Sequence, residues 1–348
     1  MNIGRRLGVI FASAMLMTLT IAPGVALATT GNHGLGLNKG CASPTTIGDP
    51  YICDYTIFNI NPIDSVGDAL TFTSLQDVIN RPGSPTSGNI LSLPGINITF
   101  TNGGAGLPSC TGLGTATPSC TLPFGSRVNV LSHSFYTVAL GDLALPGAVL
   151  SDNAVITWQD LCDQGAQNCP NPGVRQSGSG SSTTVLPSGT SASPPALQHG
   201  IGFTKGCESP THVGGQYLCS YTIQNALDEN QDMLTFNSLV DCVFSTATGA
   251  PIQPCSEILS QLTLNLSGGA SCDGIGGNSG TMSAGGKCTL PFGSHIDTDS
   301  FPVYVVSSTD LGGIYDEATL TWRDVCGVPN CPPDDEFTST GSSTGVLQ

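Results

Sequence analysis

Apolar and polar residues alternate over several short stretches of the chain. In the clearest stretch, residues 51–57, the residues Tyr51, Cys53, Tyr55 and Ile57 occupy every second position. A period of two with one apolar face predicts a half-buried β-strand. The same reasoning predicts further strands at residues 70–75, 96–100, 135–140, 154–158 and 183–186. No window of useful length has the 3.6-residue apolar period of a helix, so the pattern predicts an all-β protein.

The second half of the chain repeats the first. Residues 33–59 align without gaps with residues 199–225 and are identical at 16 of 27 positions. Shorter matches follow, among them the heptapeptide Cys-Thr-Leu-Pro-Phe-Gly-Ser at 120–126 and 288–294. Such self-similarity indicates two copies of one structural unit, and matching strands are therefore expected in the second copy.

The repeat divides the chain into two units. We assign residues 30–187 to the first copy and 198–348 to the second, with a Ser- and Pro-rich linker at 188–197. Each copy has about 150 residues, which suffices for one independent hydrophobic core. With seven or eight short strands and no intervening helices, each copy is predicted to be an antiparallel β-sandwich, because parallel strands need long crossovers.

The N-terminus has the order of a secretory signal peptide. Arg5 and Arg6 precede an apolar run over 7–21, and small residues end in Ala26-Leu27-Ala28, so residues 1–28 are expected to be removed after Ala28. The alternative is a membrane anchor, which the short and interrupted run disfavours. No second apolar run of that length follows, so no transmembrane segment is expected in the mature chain. The protein is therefore predicted to be secreted or held at the cell surface.

Charge and composition narrow the range of partners. Only 10% of residues are charged, while the full chain holds 25 acidic against 9 basic residues. Removal of the signal takes away Arg5 and Arg6 and leaves a net charge of −18 with neutral histidines. Because such a surface repels phosphates, nucleic acid is disfavoured as a partner.

Three short motifs carry a resemblance to a known family. Tyr55-Thr-Ile-x-Asn59, the Leu-Pro-x-Gly turn at 122–125 and the segment 153–157 resemble the immunoglobulin-like repeat domains of bacterial and archaeal secreted and cell-surface proteins. Those tandem domains are usually of unassigned function. The resemblance implies a sandwich that serves as a spacer or adhesive module, with no catalytic residues to carry over.

All 14 cysteines lie beyond the signal segment, where an oxidising compartment favours disulfides. Six cysteines of the first copy have counterparts in the second, which adds one further pair, and sequence-adjacent pairing closes short Gly- and Pro-rich loops. The competing arrangement, by analogy with immunoglobulin domains, is a bond between the sheets from Cys53 to Cys162. The predicted bonds are Cys41–Cys53, Cys110–Cys120, Cys162–Cys169, Cys207–Cys219, Cys242–Cys255, Cys272–Cys288 and Cys326–Cys331.

Residues for catalysis are scarce. Of five histidines only His33 and His199 occupy equivalent positions, and we expect both to be solvent-exposed at the start of a copy. The G-x-S-x-G, phosphate-loop and H-E-x-x-H motifs are absent from the sequence. Because the other three histidines are not shared and no catalytic motif accompanies His33 and His199, an enzyme, such as an extracellular hydrolase, is not the expected function.

No cofactor is expected. If one does bind, calcium is the most plausible, because it takes clustered oxygen ligands in extracellular loops. The weak candidates are Asp64 and Asp68 in the first copy and Asp228 and Asp232 in the second. Their loops differ in length and lack an EF-hand pattern, so ordinary solvated turns are favoured.

The sequence favours a structural or adhesive protein built of two rigid sandwiches. The alternative is a soluble extracellular module that binds carbohydrate or protein through variable loops. The partners expected are an extracellular protein, a glycan, or further copies of the same chain.

Overall fold

The computed structural model describes residues 32–60, 69–103, 105–160, 174–190, 197–225, 233–325 and 336–348. These residues form β-strands, turns and five short 3-10 helices, and they contain no α-helix. None of them belongs to a helix that could cross a membrane. The predicted signal segment 1–28 and most of the predicted linker 188–197 lie outside the described residues.

Within the described residues the first copy contributes eleven strands and the second fourteen. Those of the first copy are β1 (Leu35–Cys41), β2 (Thr45–Thr46), β3 (Cys53–Asn59), β4 (Ala69–Ile79), β5 (Thr86–Asn89), β6 (Asn97–Thr101), β7 (Ser109–Thr111), β8 (Ser119–Pro123), β9 (Arg127–His133), β10 (Val149–Asp160) and β11 (Arg175–Leu186). Those of the second are β12 (His199–Cys207), β13 (Thr211–His212), β14 (Gln216–Gln224), β15 (Met233–Ser245), β16 (Ser256–Glu257), β17 (Thr263–Ser267), β18 (Ser271–Cys272), β19 (Ser279–Thr281), β20 (Cys288–Pro291), β21 (His295–Thr298), β22 (Phe301–Val305), β23 (Ile314–Asp324), β24 (Glu336–Thr344) and β25 (Val346–Leu347). The 3-10 helices are Ile90–Ser92, Leu140–Ala144, Pro146–Ala148, Leu259–Gln261 and Ser308–Asp310.

The strands form two large sheets. One has ten strands in the order β19-β17-β21-β14-β12-β1-β3-β9-β6, with β22 beside β14. The other has thirteen, in the order β18-β20-β15-β23-β24-β11-β10-β4-β8-β7, with β16, β2 and β5 at the sides. Nearly all neighbours are antiparallel; the described exceptions are the short pairs β2 with β11 and β13 with β25. The protein is therefore an all-β, sandwich-like structure, as the alternation predicted.

Each copy encloses its own hydrophobic core between the sheets. The first core contains Tyr51, Tyr55 and Trp158, and the second contains their counterparts Tyr217, Tyr221 and Trp322, all fully buried. Neither core cluster includes a residue of the other copy. The inward residues come from every second position of long strands such as β10 and β23, whose burial alternates along their length.

Both sheets nevertheless run continuously from one copy into the other. Strand β1 pairs with β12, so that Lys39 faces His199, and a bridge joins His33 to Lys205. Lys39 and Lys205 are equivalent positions, as are His33 and His199, so the pairing is symmetric. In the other sheet β11 meets β24. We call these four strands the seam. Its symmetry is that of a self-complementary two-fold interface, here formed within one chain.

One predicted strand is wrong. Residues 135–140 of the first copy form no strand beyond an isolated bridge between Pro50 and Thr137, whereas the matching segment of the second copy forms β22. The neighbouring strand explains the difference. β14 begins at Gln216, which pairs with Val305, but the equivalent residue of the first copy is Pro50. Proline has no N–H group to donate, so the ladder is interrupted there.

The described part of the chain contains five disulfides, and each has the pairing predicted from the sequence. Four of them join residues that face each other on neighbouring strands of one sheet. Because Cys53 is bonded to Cys41, the alternative bond from Cys53 to Cys162 between the sheets is wrong. The predicted partners Cys162, Cys169, Cys326 and Cys331 lie outside the described residues. The five bonds are Cys41–Cys53, Cys110–Cys120, Cys207–Cys219, Cys242–Cys255 and Cys272–Cys288.

Candidate functional site

A lysine is buried between two aspartates in the core of the first copy. The Lys39 side chain extends from β1 towards the opposite sheet. Its Nζ lies 3.0 Å from Asp77 Oδ2 and also contacts Asp152. All three side chains are 0% exposed. Asp77 and Asp152 stand on the neighbouring strands β4 and β10, where Asp77 faces Ala154, two residues beyond Asp152. The pleat therefore points both carboxylates into the core towards one amine.

Two buried tyrosines complete this group, which we call the first Lys–Asp cluster (Lys39, Asp77, Asp152, Tyr51 and Tyr55). The Tyr55 hydroxyl donates a 2.5 Å hydrogen bond to Asp77 Oδ2. The Tyr51 hydroxyl lies 3.4 Å from Asp152 Oδ1. The Tyr55 ring also lies beside the amine, with its centroid 5.9 Å from Lys39 Nζ. Each carboxylate thus contacts the amine and has its own phenol as a neighbour.

A disulfide closes the cluster on one side. The sulfurs of Cys41 and Cys53 lie 3.5 and 3.8 Å from Asp152 Oδ2. Since the two residues are bonded to each other, neither carries a proton to donate to this oxygen. The contact is one of packing: the disulfide covers the Asp152 carboxyl with a surface that cannot compensate its charge.

The second copy repeats the arrangement with Lys205, Asp241, Asp316, Tyr217 and Tyr221, the second Lys–Asp cluster. Lys205 Nζ lies 2.5 Å from Asp241 Oδ2 and contacts Asp316. Tyr221 donates to Asp241, and the Tyr217 hydroxyl lies 3.3 Å from Asp316 Oδ1. The disulfide of this copy again lies beside the carboxyl, with both sulfurs 3.3 Å from Asp316 Oδ2. The duplication has therefore kept the whole cluster and not the lysine alone.

The backbone adds one donor in the second cluster. The amide N–H of Ser342, on β24, donates a 3.1 Å hydrogen bond to Asp316 Oδ1. This oxygen thus faces two donors, the amide and the Tyr217 phenol, while Oδ2 of the same carboxyl faces the lysine.

Burial raises the pKa of one aspartate in each cluster. For Asp152 burial is the largest cause and the charge of Asp77 adds to it, so that, despite the opposing effect of Lys39, the pKa rises to about 8. For Asp316 burial is again the largest cause. Lys205 opposes it, Asp241 adds to it, and the pKa rises to about 7. Asp152 is therefore mostly a neutral carboxylic acid at neutral pH, and Asp316 is neutral in a large fraction of molecules.

Lys39 and the two tyrosines of the first cluster keep their protons. Burial lowers the pKa of Lys39, but the charges of Asp152 and Asp77 outweigh that effect and leave the pKa raised. Burial, with the same two carboxylates, raises the pKa of Tyr51 and Tyr55 well above the ordinary phenol value.

The histidines that we expected at the surface are buried. His33 is 3% exposed and His199 is 1% exposed, because the seam covers both. His33 Nδ1 lies 2.6 Å from Asp160 Oδ2, and His199 contacts Asp324 in the equivalent way. The expectation of solvent exposure was wrong because it treated the start of each copy as a free end, whereas it pairs with the other copy.

The weak calcium candidates are not located. Asp64, Asp68, Asp228 and Asp232 all lie outside the described residues. Among the described residues, groups of three potential metal ligands form around Asp152 and Asp316, and the two cysteines in each group are bonded as a disulfide.

Neither Lys–Asp cluster was predicted from the sequence, although the residue pattern indicates both. Asp77 is in phase with Leu75 and Ile79, and Asp152 is in phase with Leu150 and Ala154, so each carboxylate occupies an inward position of a strand. The lysine precedes the shared Gly-Cys pair in both copies, in a chain with only nine basic residues. A charged residue at an inward position needs a buried partner, and this requirement would have connected the three residues.

Comparison with known proteins assigns no family to this chain. No protein-family model matches the chain, and no curated protein sequence matches it.

Proposed function

We propose that this chain is a secreted or cell-surface structural or adhesive protein composed of two immunoglobulin-like sandwich domains. The observation that carries the proposal is the position of the two Lys–Asp clusters. Both copies keep this group of a lysine, two aspartates and two tyrosines, and its members are buried in the cores. The first cluster is closed to solvent, and in the second only Asp241 borders a small cavity, of about 100 Å³, so we take their chemistry to act on the protein's own fold.

The covalent and hydrogen-bonded framework supports the same function. Five disulfides in the described residues fit an oxidising compartment outside the cell, and the N-terminal sequence has the order of a signal peptide. The seam continues both sheets across the two copies, so force applied to one copy passes to the other through backbone hydrogen bonds. Such a unit suits a spacer or a building block of a surface layer or fibre.

The alternative function, a module that binds a small carbohydrate, has weaker support. A cavity in the second copy, lined by Gln253, Ile258 and Val303 among others, has a volume of about 100 Å³. Ligand pockets usually have roughly 300 to 1,000 Å³. The cavity adjoins the Cys242–Cys255 loop, which the first copy lacks, so it is not a feature that the duplication kept.

Fractionation of the native host tests the proposal. Antibodies raised against the mature chain should detect the protein in the washed envelope fraction, and immunogold electron microscopy should place the label on a layer or fibre. Preimmune serum and a cytoplasmic marker protein are the controls. Recovery of the protein only as free monomer in the medium would contradict a structural role and favour the binding module.

A further inference from the structure

Each Lys–Asp cluster holds an amine and two carboxyl groups in direct contact. Lys39 Nζ is 3.0 Å and 3.2 Å from the two oxygens of Asp77 and contacts Asp152 Oδ2. The amine and the acyl group of Asp152 belong to opposite sheets, and the packed core holds them together without solvent. Fixing two reactants in this way is equivalent to a very high local concentration, on the order of 10⁵ M or more for well-oriented groups.

The protonation states also suit condensation. Asp152 is mostly neutral, and a neutral carboxylic acid accepts an amine as nucleophile where a carboxylate would repel it. Asp77 accepts hydrogen bonds from both Tyr55 and Lys39, so it is placed to take a proton from the ammonium. In an apolar core the proton transfer that turns an ion pair into two neutral groups costs less than it does in water, because burial penalises both charges.

We infer that Lys39 is joined to Asp152, and Lys205 to Asp316, by an intramolecular isopeptide bond that links the two sheets of each copy.

The reaction balances without any further reagent. Asp77 takes a proton from the Lys39 ammonium, which leaves a neutral amine. The amine nitrogen attacks the Asp152 carboxyl carbon, the C–N bond forms, and the carboxyl hydroxyl leaves with an amine proton as one water molecule. The products are a secondary amide, a protonated Asp77 and water. Asp77 contacts the reacting nitrogen and is therefore the catalytic residue; Asp241 has that role in the second copy.

Donors stand where charge develops during the attack. In the second cluster Asp316 Oδ1 accepts a hydrogen bond from the backbone N–H of Ser342 and faces the Tyr217 phenol. As the amine adds to the carbon, this oxygen gains negative charge, which the two donors stabilise in the manner of an oxyanion hole. Oδ2, on the side of Lys205 and the disulfide, is the oxygen that leaves. The two oxygens of one carboxyl therefore have different functions, set by their neighbours.

The bond supplies a connection that the described disulfides do not. Cys41–Cys53 and Cys207–Cys219 each join neighbouring strands of one sheet. Lys39 and Asp152 stand on opposite sheets and are 113 residues apart in sequence. A link between them holds the two layers of the sandwich together and replaces a buried ion pair, with its desolvation cost, by a neutral amide.

Intact-mass spectrometry of the purified mature chain tests the inference, independently of where the protein resides. After reduction and alkylation of all cysteines, the mass should fall short of the sequence mass by two water molecules. Tryptic digestion should leave the bonds after Lys39 and Lys205 uncut, and fragmentation should find Lys39 joined to Asp152 in one branched peptide.

Variants separate the two copies and the roles within each. Asp77→Ala removes the proton acceptor of the first copy and should leave a deficit of one water, with the Lys205 to Asp316 bond intact as an internal control. Lys39→Met should have the same effect. Asp54→Ala, on the outward face of β3, is the matched carboxylate control and should keep both bonds.

The wild-type mass decides the question even where a variant fails to fold. A reduced chain with the full sequence mass, cut after Lys39 and Lys205, would show that the clusters are ion pairs only and overturn the inference. Loss of water at Asp152 without a branched peptide would indicate a cyclised aspartate and would equally overturn it. A link from Lys39 to Asp77, which would form a loop within one tryptic peptide, would overturn the assignment of Asp152 as the acyl donor.

Discussion

Replacement of Gly200 by alanine tests the seam between the two copies. Gly200 lies on β12 and faces Asn38 of β1. A Cβ atom at this position would lie 2.1 Å from the Leu37 carbonyl oxygen and 2.6 Å from the Asn38 Cα. Carbon atoms that are not bonded prefer separations of about 3.5 to 4.0 Å. Both colliding atoms are backbone, so no side-chain rotation removes the overlap, and β1 and β12 must move apart.

The size of the effect follows from these contacts. Overpacking of this kind costs roughly 1 to 3 kcal/mol, and each seam hydrogen bond that the separation weakens adds about 1 kcal/mol. We therefore expect the free energy of unfolding to fall by about 2 to 4 kcal/mol. At about 2 to 4 °C for each kcal/mol in large domains, the melting temperature should fall by roughly 5 to 15 °C.

Thermal melts followed by circular dichroism, under oxidising conditions, measure the change. Gly276→Ala is the matched control, because nothing lies within 4 Å of a Cβ built there and its φ is ordinary. Gly34 is the equivalent of Gly200 in the first copy, and its Cβ would lie 1.9 Å from the Phe203 carbonyl oxygen. Gly34→Ala should therefore destabilise the protein to a similar extent as Gly200→Ala. If the Gly200→Ala and Gly276→Ala chains had the same melting temperature, the close backbone approach at the seam would be refuted.

Three further predictions concern the halves, one disulfide and calcium. Residues 30–187 and 198–348, expressed separately in an oxidising compartment, should each melt cooperatively and, because the seam is self-complementary, should pair as dimers in light scattering; a disordered half would contradict the division into two domains. Replacing Cys242 and Cys255 together by serine should cost about 2 to 3 kcal/mol in a chemical denaturation series with the strand spectrum unchanged, since the bond closes one short loop. The melting temperature should be the same in chelator and in millimolar calcium; a rise with calcium would assign a site to the acidic loops.

The sequence by itself determined the features that depend on neighbours along the chain. Alternation at 51–57 and 154–158 predicted strands because the side chains of a strand point to opposite faces in turn. The duplication, together with short cysteine spacings, predicted the five disulfides that the structure describes. Pairs such as Cys41 and Cys53 meet at facing positions of consecutive paired strands, where a local pattern is sufficient.

Only the tertiary structure decided where the two copies meet. Strands β1 and β12 were not predicted, because every residue in each is buried and no alternation remains to mark them. Their glycines allow the close approach of the other copy, which a sequence does not show. The same contact buries His33 and His199 and so reversed the expectation for both.

The Lys–Asp clusters depend on the tertiary structure for the same reason. Asp77 and Asp152 are separated from Lys39 by 38 and 113 residues, and no local period connects residues so far apart. Their meeting follows from the stacking of two sheets, which places an inward residue of β1 opposite inward residues of β4 and β10. The sequence fixes which face of a strand each side chain takes, whereas the pairing of strands and the stacking of sheets determine which charges share one core.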